Sequence, residues 1–289
     1  CQYYVAHGED FLADERAAAA IPGLGSARTV YKPHGVVGFI SPWNYPFILS
    51  IGDAIPALLA GNAVVIKPSE MTPLSAEIAL RLLREAGLPE PTARLVHGTG
   101  PVGAELIAHV DYISFTGSSV TGRKVAVAAG ERLLPYSLEL GGKNPLIVLE
   151  GAPLEAAVDG FVAGAFFNAG QTCIAVERAF VERSVYDEFV DRAVARCEEL
   201  SLGWSDGWDV DMGCLISRDH TEKVLRHIED ARGKGAEVLT GGGRRSDLGP
   251  CFVEPTLLQG VDPSATLYRE ETFGPVVALY PVDDAEEAI

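Results

Sequence analysis

Two residue types in this sequence could together perform covalent acyl chemistry, a cysteine and a carboxylate. Cys173 ends the run Gly170-Gln171-Thr172-Cys173, and Glu139 stands just before the double glycine Gly141-Gly142. A thiol can attack a carbonyl carbon, and a carboxylate can activate the water that releases the product. A lone cysteine is more often a buried core residue, so this interpretation depends on what surrounds the two motifs.

Length and charge narrow the class of protein. The chain has 289 residues, 47% of them hydrophobic and 22% charged, which is typical of one large or two medium globular domains. A net charge of −17 disfavours nucleic acid and anionic membranes as partners. We see no apolar run long enough to cross a bilayer and no signal peptide. The start at Cys1 and the end at Ile289, inside an acidic run, lead us to expect a chain truncated at both ends.

The cysteines are scattered and form no C-x-x-C pair. This spacing argues against a zinc site or a disulfide framework, so we expect no metal, and it favours a reducing compartment such as the cytoplasm. Cys197 falls on the apolar face of a predicted helix over residues 184–200, so we expect it in the core. The five cysteines are Cys1, Cys173, Cys197, Cys214 and Cys251.

Short apolar runs alternate with helical patterns along the chain. Predicted strands cover residues 35–40, 63–66, 93–97 and 112–115, and a helix begins at Thr72-Pro73 and ends at Gly87. After Asn144 the alternation resumes, with strands near 146–149 and 178–182 and helices over 154–167 and 217–232. The pattern predicts an α/β fold with two parallel-sheet domains, residues 1–140 and 141–289.

Some local predictions rest on weaker signals. An alanine-rich helix over residues 11–20 is expected to stop at Ile21-Pro22-Gly23. An arm strand is expected within residues 22–32, near 26–31. Ser184 and Asp187 resemble a capping box at the start of the helix that carries Cys197.

Two glycine-rich loops could bind a dinucleotide. Gly98, Gly100 and Gly103 fit G-x-G-x-x-G between a strand and a helix, but the usual acid about 20 residues on is missing, so an ordinary strand-to-helix turn explains the loop equally well. In the second loop, residues 115–122, Gly117 and Ser118 precede a helix whose hydroxyls and N–H groups could hold an anion.

A third strand end carries Lys67 and Glu70. Ligands of open parallel sheets lie beyond the carboxyl ends of the strands, where both side chains could bond to ribose hydroxyls. The Glu70 carboxylate would repel a 2′-phosphate, which favours NAD, with NADP as the alternative. A solvated charge pair is the competing interpretation.

Taken together, these segments resemble the aldehyde dehydrogenase superfamily, in the family's order and over essentially the whole chain. The matching segments are Pro42-Trp43-Asn44-Tyr45-Pro46, Gly61-Asn62-Ala63-Val64-Val65-Ile66-Lys67-Pro68-Ser69-Glu70, Phe115-Thr116-Gly117-Ser118, Glu139-Leu140-Gly141-Gly142-Lys143, Gly170-Gln171-Thr172-Cys173 and Glu270-Glu271-Thr272-Phe273-Gly274-Pro275-Val276.

The resemblance implies a role for each matching residue. Cys173 would be the catalytic thiol, Glu139 the base that activates water, and Asn44 the oxyanion-hole amide. The loop at Gly117 would contact the pyrophosphate, rather than the formal fingerprint at Gly98. The cofactor contacts that we expect are Ile40, Ser41, Trp43, Lys67, Glu70, Gly100, Gly117, Ser118, Leu140, Glu271 and Phe273.

The implied activity is oxidation of an aldehyde to a carboxylic acid with NAD(P)+ through a cysteine thiohemiacetal and thioester. The implied fold has two Rossmann-like parallel-sheet domains, an NAD-binding domain over residues 1–140 and a catalytic domain over residues 141–289. The implied assembly of the full-length protein is a homodimer or homotetramer. The expected arm strand is similar to half of the family's oligomerisation arm, whose partner strand would lie outside this sequence.

Three other functions stay open at this point. A coenzyme-A-acylating relative would pass the acyl group to a thiol, and Glu139 argues against it because a base for water would serve no purpose there. A non-catalytic nucleotide-binding fragment or pseudo-enzyme is favoured by the expected truncation. A thiol protease would need a histidine partner for Cys173, and none of the six histidines lies in a matching motif.

Overall fold

The computed structural model describes residues 2–21 and 23–289. Cys1 and the predicted helix stop at Pro22 lie outside the described residues. The chain divides between Leu140 and Gly141 into two compact units, each of which is described by itself below.

The N-terminal segment of the first unit differs from the sequence prediction. Helix α1 covers Gln2–Leu12 and is followed by strand β1, Glu15–Ala17, which pairs antiparallel with β2, Ala27–Thr29. The predicted helix over residues 11–20 is therefore wrong beyond Leu12, because strand pairing overrides the helix propensity of the alanine run. The arm strand lies within the predicted range, but its partner β1 lies inside this sequence.

The sheet of the first unit consists of five parallel strands in the order β5-β4-β3-β6-β7. Because β6 returns to the side of β3 opposite β4, the strand order reverses at the β3/β6 pair, which is where open α/β sheets bind ligands. The strands are β3 Val36–Ile40, β4 Ala63–Lys67, β5 Ala93–Leu95, β6 Tyr112–Thr116 and β7 Tyr136–Glu139.

Helices connect these strands. Pro73 is the first residue of α4 and Thr72 its N-cap, as the sequence predicted. The buried face of α4 consists of Ala76, Ala79 and Leu80, so the apolar stripe at Leu74, Ile78 and Leu82 is exposed. The helices are α2 Pro46–Ile51, α3 Ala54–Leu59, α4 Pro73–Glu85, α5 Gly100–Ala108 and α6 Ser119–Glu131.

The second unit contains a mixed five-stranded sheet in the order β10-β11-β12-β9-β8, in which only the β10/β11 pair is antiparallel. The strands are β8 Asn144–Val148, β9 Val176–Glu182, β10 Glu237–Thr240, β11 Thr256–Gln259 and β12 Val276–Val282. The helices are α7 Leu154–Phe166, α8 Arg183–Glu198, α9 Arg218–Gly233, α10 Thr266–Arg269 and α11 Ala285–Ala288.

Apolar side chains of α7 and α8 pack on this sheet and form its core. Phe161 and Phe189 are fully buried and meet edge to face, with ring centroids 5.4 Å apart. Cys197 is 1% exposed, which confirms its predicted place in the core, and burial raises the pKa of its thiol to about 12. This cysteine is therefore unsuited to attack at neutral pH, since the thiolate is the nucleophile.

Other local predictions need correction. Helix α8 begins at Arg183 with Glu182 as its N-cap, so Ser184 does not form the predicted capping box. Helices α2 and α3 and strand β7 were not predicted. The predicted α/β fold with Rossmann-like parallel sheets is confirmed, except that the edge strand β10 of the second sheet runs antiparallel. None of the described helices is both long enough and apolar enough to cross a membrane.

Candidate active site

The candidate residues of the first unit lie at one edge of its sheet. Ile40, Lys67, Thr116 and Glu139 are the last residues of β3, β4, β6 and β7. Because all of these strands are parallel, their carboxyl ends meet at the same edge. The sheet therefore places motifs that are distant in the sequence, such as those of Asn44 and Glu139, at one edge of the first unit.

The loop after β3 carries three of the candidates, Ser41, Trp43 and Asn44. The Ser41 N–H donates to the Lys67 carbonyl at 3.1 Å, and the Ser41 hydroxyl shares a hydrogen bond of 2.9 Å with that of Ser50 in α2. Since the Ser41 side chain is buried and bonded there, contact with a cofactor would have to come from its backbone. Trp43 and Asn44 follow in the turn before α2, and both are partly exposed.

Lys67 and Glu70 form an ion pair at the end of β4. The Lys67 Nζ donates to the Pro68 carbonyl at 3.0 Å and lies 3.4 Å from a Glu70 carboxylate oxygen. The Lys67 side chain is 5% exposed and that of Glu70 is 49% exposed. The lysine is thus fixed within the fold, while the carboxylate remains accessible to a ligand.

The Gly117 loop is partly occupied by its own hydrogen bonds. The Gly117 N–H donates to the Glu139 carbonyl at 3.0 Å, and the Ser118 hydroxyl caps α6 by accepting the Thr121 N–H at 3.3 Å. Of the loop groups expected to hold an anion, the Gly117 N–H and the Ser118 hydroxyl are therefore already engaged within the fold. Helix geometry still leaves the first-turn N–H groups of Ser119 and Val120 without an intrahelical acceptor.

Glu139 ends β7 with an exposed side chain. Burial raises the pKa of Asp53, the N-cap of α3, and the negative charge of Glu139 raises that pKa further. Asp53 therefore lies in the electrostatic field of the proposed base, a neighbour that the sequence analysis missed. Leu140 packs against Gly122 in α6, where a Cβ would come within 2.6 Å of its side chain.

Packing explains part of the G-x-G-x-x-G motif formed by Gly98, Gly100 and Gly103. Gly98 has a φ of 148°, and a Cβ there would clash with the Val102 side chain, so the loop requires glycine at this position. A Cβ on Gly103 would make only ordinary van der Waals contact with Ile40 and Lys67, at 3.4 and 3.5 Å. Gly100 is the exposed first residue of α5. The structure thus explains Gly98 by local packing and leaves Gly100 as a cofactor candidate only.

In the second unit, Cys173 follows a left-handed turn. Asn168, Ala169 and Gly170 have φ values of 52°, 55° and 69°. Only glycine fits at the last position, because a Cβ there would clash with the Gly274 carbonyl. Cys173 itself is exposed, which a nucleophile requires.

Two amide side chains hold this turn in place. Gln171 is 3% exposed; its Oε1 accepts the Ile216 N–H at 2.8 Å, and its Nε2 donates to the Asn168 carbonyl at 3.0 Å. The Asn144 Nδ2 donates to the carbonyls of Cys173 and Ala175 at 2.8 and 2.9 Å. These contacts fix the backbone on both sides of the thiol, and the sequence analysis had assigned neither amide this role.

The double glycine contacts the segment that carries Glu271. The Gly142 N–H donates to a Glu271 carboxylate oxygen at 3.1 Å, and a Cβ on Gly141 would overlap that carboxylate. Burial raises the Glu271 pKa, and the Gly142 hydrogen bond opposes the rise. Phe273 is partly exposed and left-handed, with φ of 58°.

A buried ion pair stands behind this segment. The Lys143 Nζ lies 2.5 Å from a Glu177 carboxylate oxygen, with side-chain exposures of 11% and 3%. Glu177 also accepts the N–H groups of Thr272 at 3.0 Å and Phe273 at 2.8 Å. The sequence did contain a signal for this acid, since strand alternation puts Glu177 on the same buried face as Ala179 and Val181.

Helix α9 supports the same segment from another side. Lys223 donates to the Glu271 carbonyl at 2.9 Å, and a His220 ring nitrogen lies 2.7 Å from the Phe273 carbonyl. The His227 Nδ1 lies 3.2 Å from the Thr272 hydroxyl. Within the second unit, the structure thus brings Cys173, Glu271 and Phe273 into one connected set of contacts, while Asn44 and Glu139 belong to the first unit.

Comparison with known proteins decides the family. The model of the aldehyde dehydrogenase family matches residues 1–289. The chain belongs to this family.

Relatives and solved structures of aldehyde dehydrogenases match over nearly the whole chain. The protein named Putative succinate-semialdehyde dehydrogenase (NADP+) of Mycolicibacterium smegmatis is 47% identical over 100% of this chain and 56% of its own length. The 2-hydroxymuconic semialdehyde dehydrogenase of Pseudomonas sp. strain CF600 is 42% identical over 96% of this chain and 59% of its own. The chain therefore spans little more than half the length of the curated relatives that it matches.

Two solved aldehyde dehydrogenases show the same fold. The aldehyde dehydrogenase of Bacillus cereus, solved as a mutant, superposes with a TM-score of 0.93 at 38% identity, covering 100% of this chain and 58% of that one. The betaine aldehyde dehydrogenase of Staphylococcus aureus in complex with NAD+ gives 0.92 at 37% identity, covering 99% and 58%.

The buried side chain of His227, which contacts Thr272, predicts that the free energy of unfolding depends on pH. Burial first, and then the positive charges of Lys223, Lys143 and Arg226, lower the His227 pKa from 6.5 to about 4. Between these values the unfolded chain binds a proton that the folded chain does not, so stability falls as the pH falls. From pH 7.5 to 5.0 this histidine should account for a loss of about 2 kcal/mol.

Urea unfolding of the unmodified protein and of His227→Gln at the two pH values isolates this contribution. We expect the variant to lose about 2 kcal/mol less than the unmodified protein over that interval. Equal losses in the two proteins would contradict the assignment of a neutral, buried His227.

Proposed function

We propose that the protein oxidises an aldehyde to a carboxylic acid with NAD(P)+ through a covalent intermediate on Cys173. The observation that carries this proposal is an exposed thiol on a turn held by the amides of Gln171 and Asn144, in a chain matched throughout by the aldehyde dehydrogenase family model. We further propose that residues up to Leu140 form the cofactor domain and those from Gly141 the catalytic domain.

The first unit fits a dinucleotide by the chemistry of its donors. At the end of β4, Glu70 offers an accessible carboxylate to ribose hydroxyls, with the Lys67 ammonium beside it, and the N-terminus of α6 offers N–H groups to phosphate. In the second unit, Glu271 and Phe273 would hold the nicotinamide end. When bound, the oxidised nicotinamide supplies a hydride acceptor.

The residues of the chain would act in two stages. The Cys173 thiolate attacks the aldehyde carbon, and the Asn44 amide with the Cys173 N–H stabilises the oxyanion of the thiohemiacetal. Collapse of that oxyanion expels hydride and leaves a thioester on the sulfur. Glu139 then takes a proton from water, whose oxygen attacks the thioester carbon and releases the acid and the thiol.

Substitution of the two reacting residues separates these stages. Cys173→Ala should abolish turnover and leave NAD+ binding unchanged, because only the nucleophile is removed. Glu139→Gln should release up to one equivalent of NADH per site in a rapid burst at 340 nm and then slow by about 10²–10⁴-fold, since the thioester cannot be hydrolysed efficiently. Undiminished steady-state turnover of Glu139→Gln would show that another group is the base.

Glu70 generates a prediction about the cofactor. Its accessible carboxylate would repel the 2′-phosphate of NADP+, so we propose a preference for NAD+, although the mycobacterial relative is named for NADP+. Glu70→Gln should raise kcat/KM with NADP+ by about tenfold and change the value with NAD+ much less. Glu77→Gln, a charge removal on an exposed part of α4, is the matched control. A wild-type preference for NADP+ that Glu70→Gln leaves unaltered would contradict this placement.

The names of the relatives support a substrate class. Both curated relatives described above are named for semialdehydes, so we propose an aldehyde whose far end carries a carboxylate. The kcat/KM for succinic semialdehyde should exceed that for butanal, a neutral aldehyde with the same number of carbons, by at least about tenfold, which corresponds to about 1.4 kcal/mol. Equal values for the two aldehydes would count against carboxylate recognition.

We also propose that the protein is cytoplasmic and assembles as a homodimer or homotetramer. The scattered cysteines support the compartment, since the four described ones are all free thiols. The β1/β2 arm supports assembly, because its backbone edges could extend a sheet with a second copy.

A further inference from the structure

The buried carboxylate of Glu177 requires an explanation beyond stability. Its side chain is 3% exposed, and Lys143 is the cation beside it, at 2.5 Å. Removing two charges from water costs several kcal/mol per ion, and apolar replacements of buried ion pairs are often neutral or stabilising. An acid that is retained in such a place is therefore a candidate for a geometric role.

The contacts of Glu177 point to the segment that it orders. The Glu270 N–H donates to the Thr266 carbonyl and the Pro275 carbonyl accepts the Thr256 N–H, but no helix or sheet ladder fixes the backbone of residues 271–274 between them. Instead Glu177 accepts the consecutive N–H groups of Thr272 and Phe273. This double acceptance supports the left-handed conformation of Phe273, which costs a residue other than glycine about 1 kcal/mol or more.

The ion pair of Glu177 and Lys143 is also connected to Glu271, at the start of this segment. Lys143 directly follows Gly142, whose N–H binds the Glu271 carboxylate, and the Arg178 guanidinium donates to the Lys143 carbonyl at 2.9 and 2.6 Å. Glu177 thus contacts the backbone beyond Glu271, while its partner Lys143 lies next to the group that seats the Glu271 side chain. A shift of the pair would move both the carboxylate and the ring.

We propose that Glu177, paired with Lys143, is a positioning residue that sets Glu271 and Phe273 for the nicotinamide riboside half of the cofactor. This inference rests on the proposed function. Glu177 does not contact the ligand itself; it acts through the N–H groups of Thr272 and Phe273. The adenosine half would be held by the first unit and would not depend on Glu177.

The test compares two ligands that differ by the nicotinamide mononucleotide half, which contains the nicotinamide riboside. NADH carries both halves, whereas AMP carries only the adenosine half. For Glu177→Gln we expect the Kd of NADH to rise about tenfold, since hydrogen bonds to a charged group are lost, and the Kd of AMP to stay within about twofold. Glu271→Gln should show the same selective pattern. A merely structural role would change the Kd of both ligands alike or of neither.

A matched control lies on the same strand. Glu182 is also on β9 and accepts one backbone N–H, that of Glu150 at 2.8 Å, but it contacts nothing in the Glu271 segment. Glu182→Gln should leave the Kd values of NADH and AMP unchanged. A selective loss of NADH binding in this control would contradict a specific role for Glu177.

A double variant keeps the test decisive where Glu177→Gln fails to fold. Glu177→Leu with Lys143→Met removes both charges together, which buried pairs usually tolerate. It still leaves the N–H groups of Thr272 and Phe273 without their acceptor, so the selective loss of NADH affinity should persist. Wild-type NADH affinity in this variant would overturn the inference.

The outcomes also distinguish the inference from the function on which it rests. A wild-type protein that binds neither NADH nor NADPH would refute the proposed function. Selective loss in Glu271→Gln together with wild-type affinity in the Glu177 variants would refute the positioning role alone.

Discussion

The buried amide of Gln171 is the contact on which the candidate nucleophile depends. Its oxygen accepts the Ile216 N–H and its nitrogen donates to the Asn168 carbonyl, so one side chain joins the turn before Cys173 to the chain after α8. A buried amide left unpaired would cost about 1–3 kcal/mol, which makes this arrangement strongly preferred over alternatives. The exposed thiol is therefore presented by a turn whose geometry is set from within the core.

A second set of polar contacts orders the segment around Glu271 and Phe273. These contacts come from Glu177, Lys143, Lys223, His220 and His227. Because the segment lies in no helix or sheet, the bonds that Glu177, Lys223 and His220 make to its backbone satisfy groups that a helix or sheet would otherwise pair. Gly170 and Gly274 approach each other closely enough to exclude a Cβ, which joins this segment to the turn of Cys173. The two halves of the candidate site in this unit are thus packed against one another.

Much of the fold could be predicted from the sequence because its signals are local. The apolar runs at β3, β4 and β6 and the Thr72-Pro73 helix start are each visible within a few residues. The predicted helix over residues 11–20 was wrong because helix propensity, even that of alanine, is a weak determinant of structure, and the pairing between β1 and β2 that overrides it is not visible within the alanine run. Strand β7 was missed because its burial pattern is mostly exposed or intermediate and gives no apolar run.

The sequence predicted which motifs belong to the candidate site, but it did not predict which side chains contact one another there. Cys173, Glu139 and Asn44 carry recognisable neighbours in the sequence, whereas the roles of Gln171, Asn144 and Glu177 depend on contacts with residues 29 to 96 positions away. Only the alternation of side chains along β9 indicated that Glu177 is buried. Leu74, Ile78 and Leu82 have helical spacing, yet their side chains are exposed. Spacing in the sequence therefore identifies an apolar helix face but does not show whether another element covers it.

The central claim is that Cys173 carries the acyl group during turnover. Its most direct test is mass spectrometry of peptides from protein quenched in acid during reaction with an aldehyde and NAD+. The account predicts a thioester adduct on the peptide that contains Cys173, with the mass of the substrate acyl group. Turnover without any adduct on Cys173, or with the adduct on another cysteine, would contradict it.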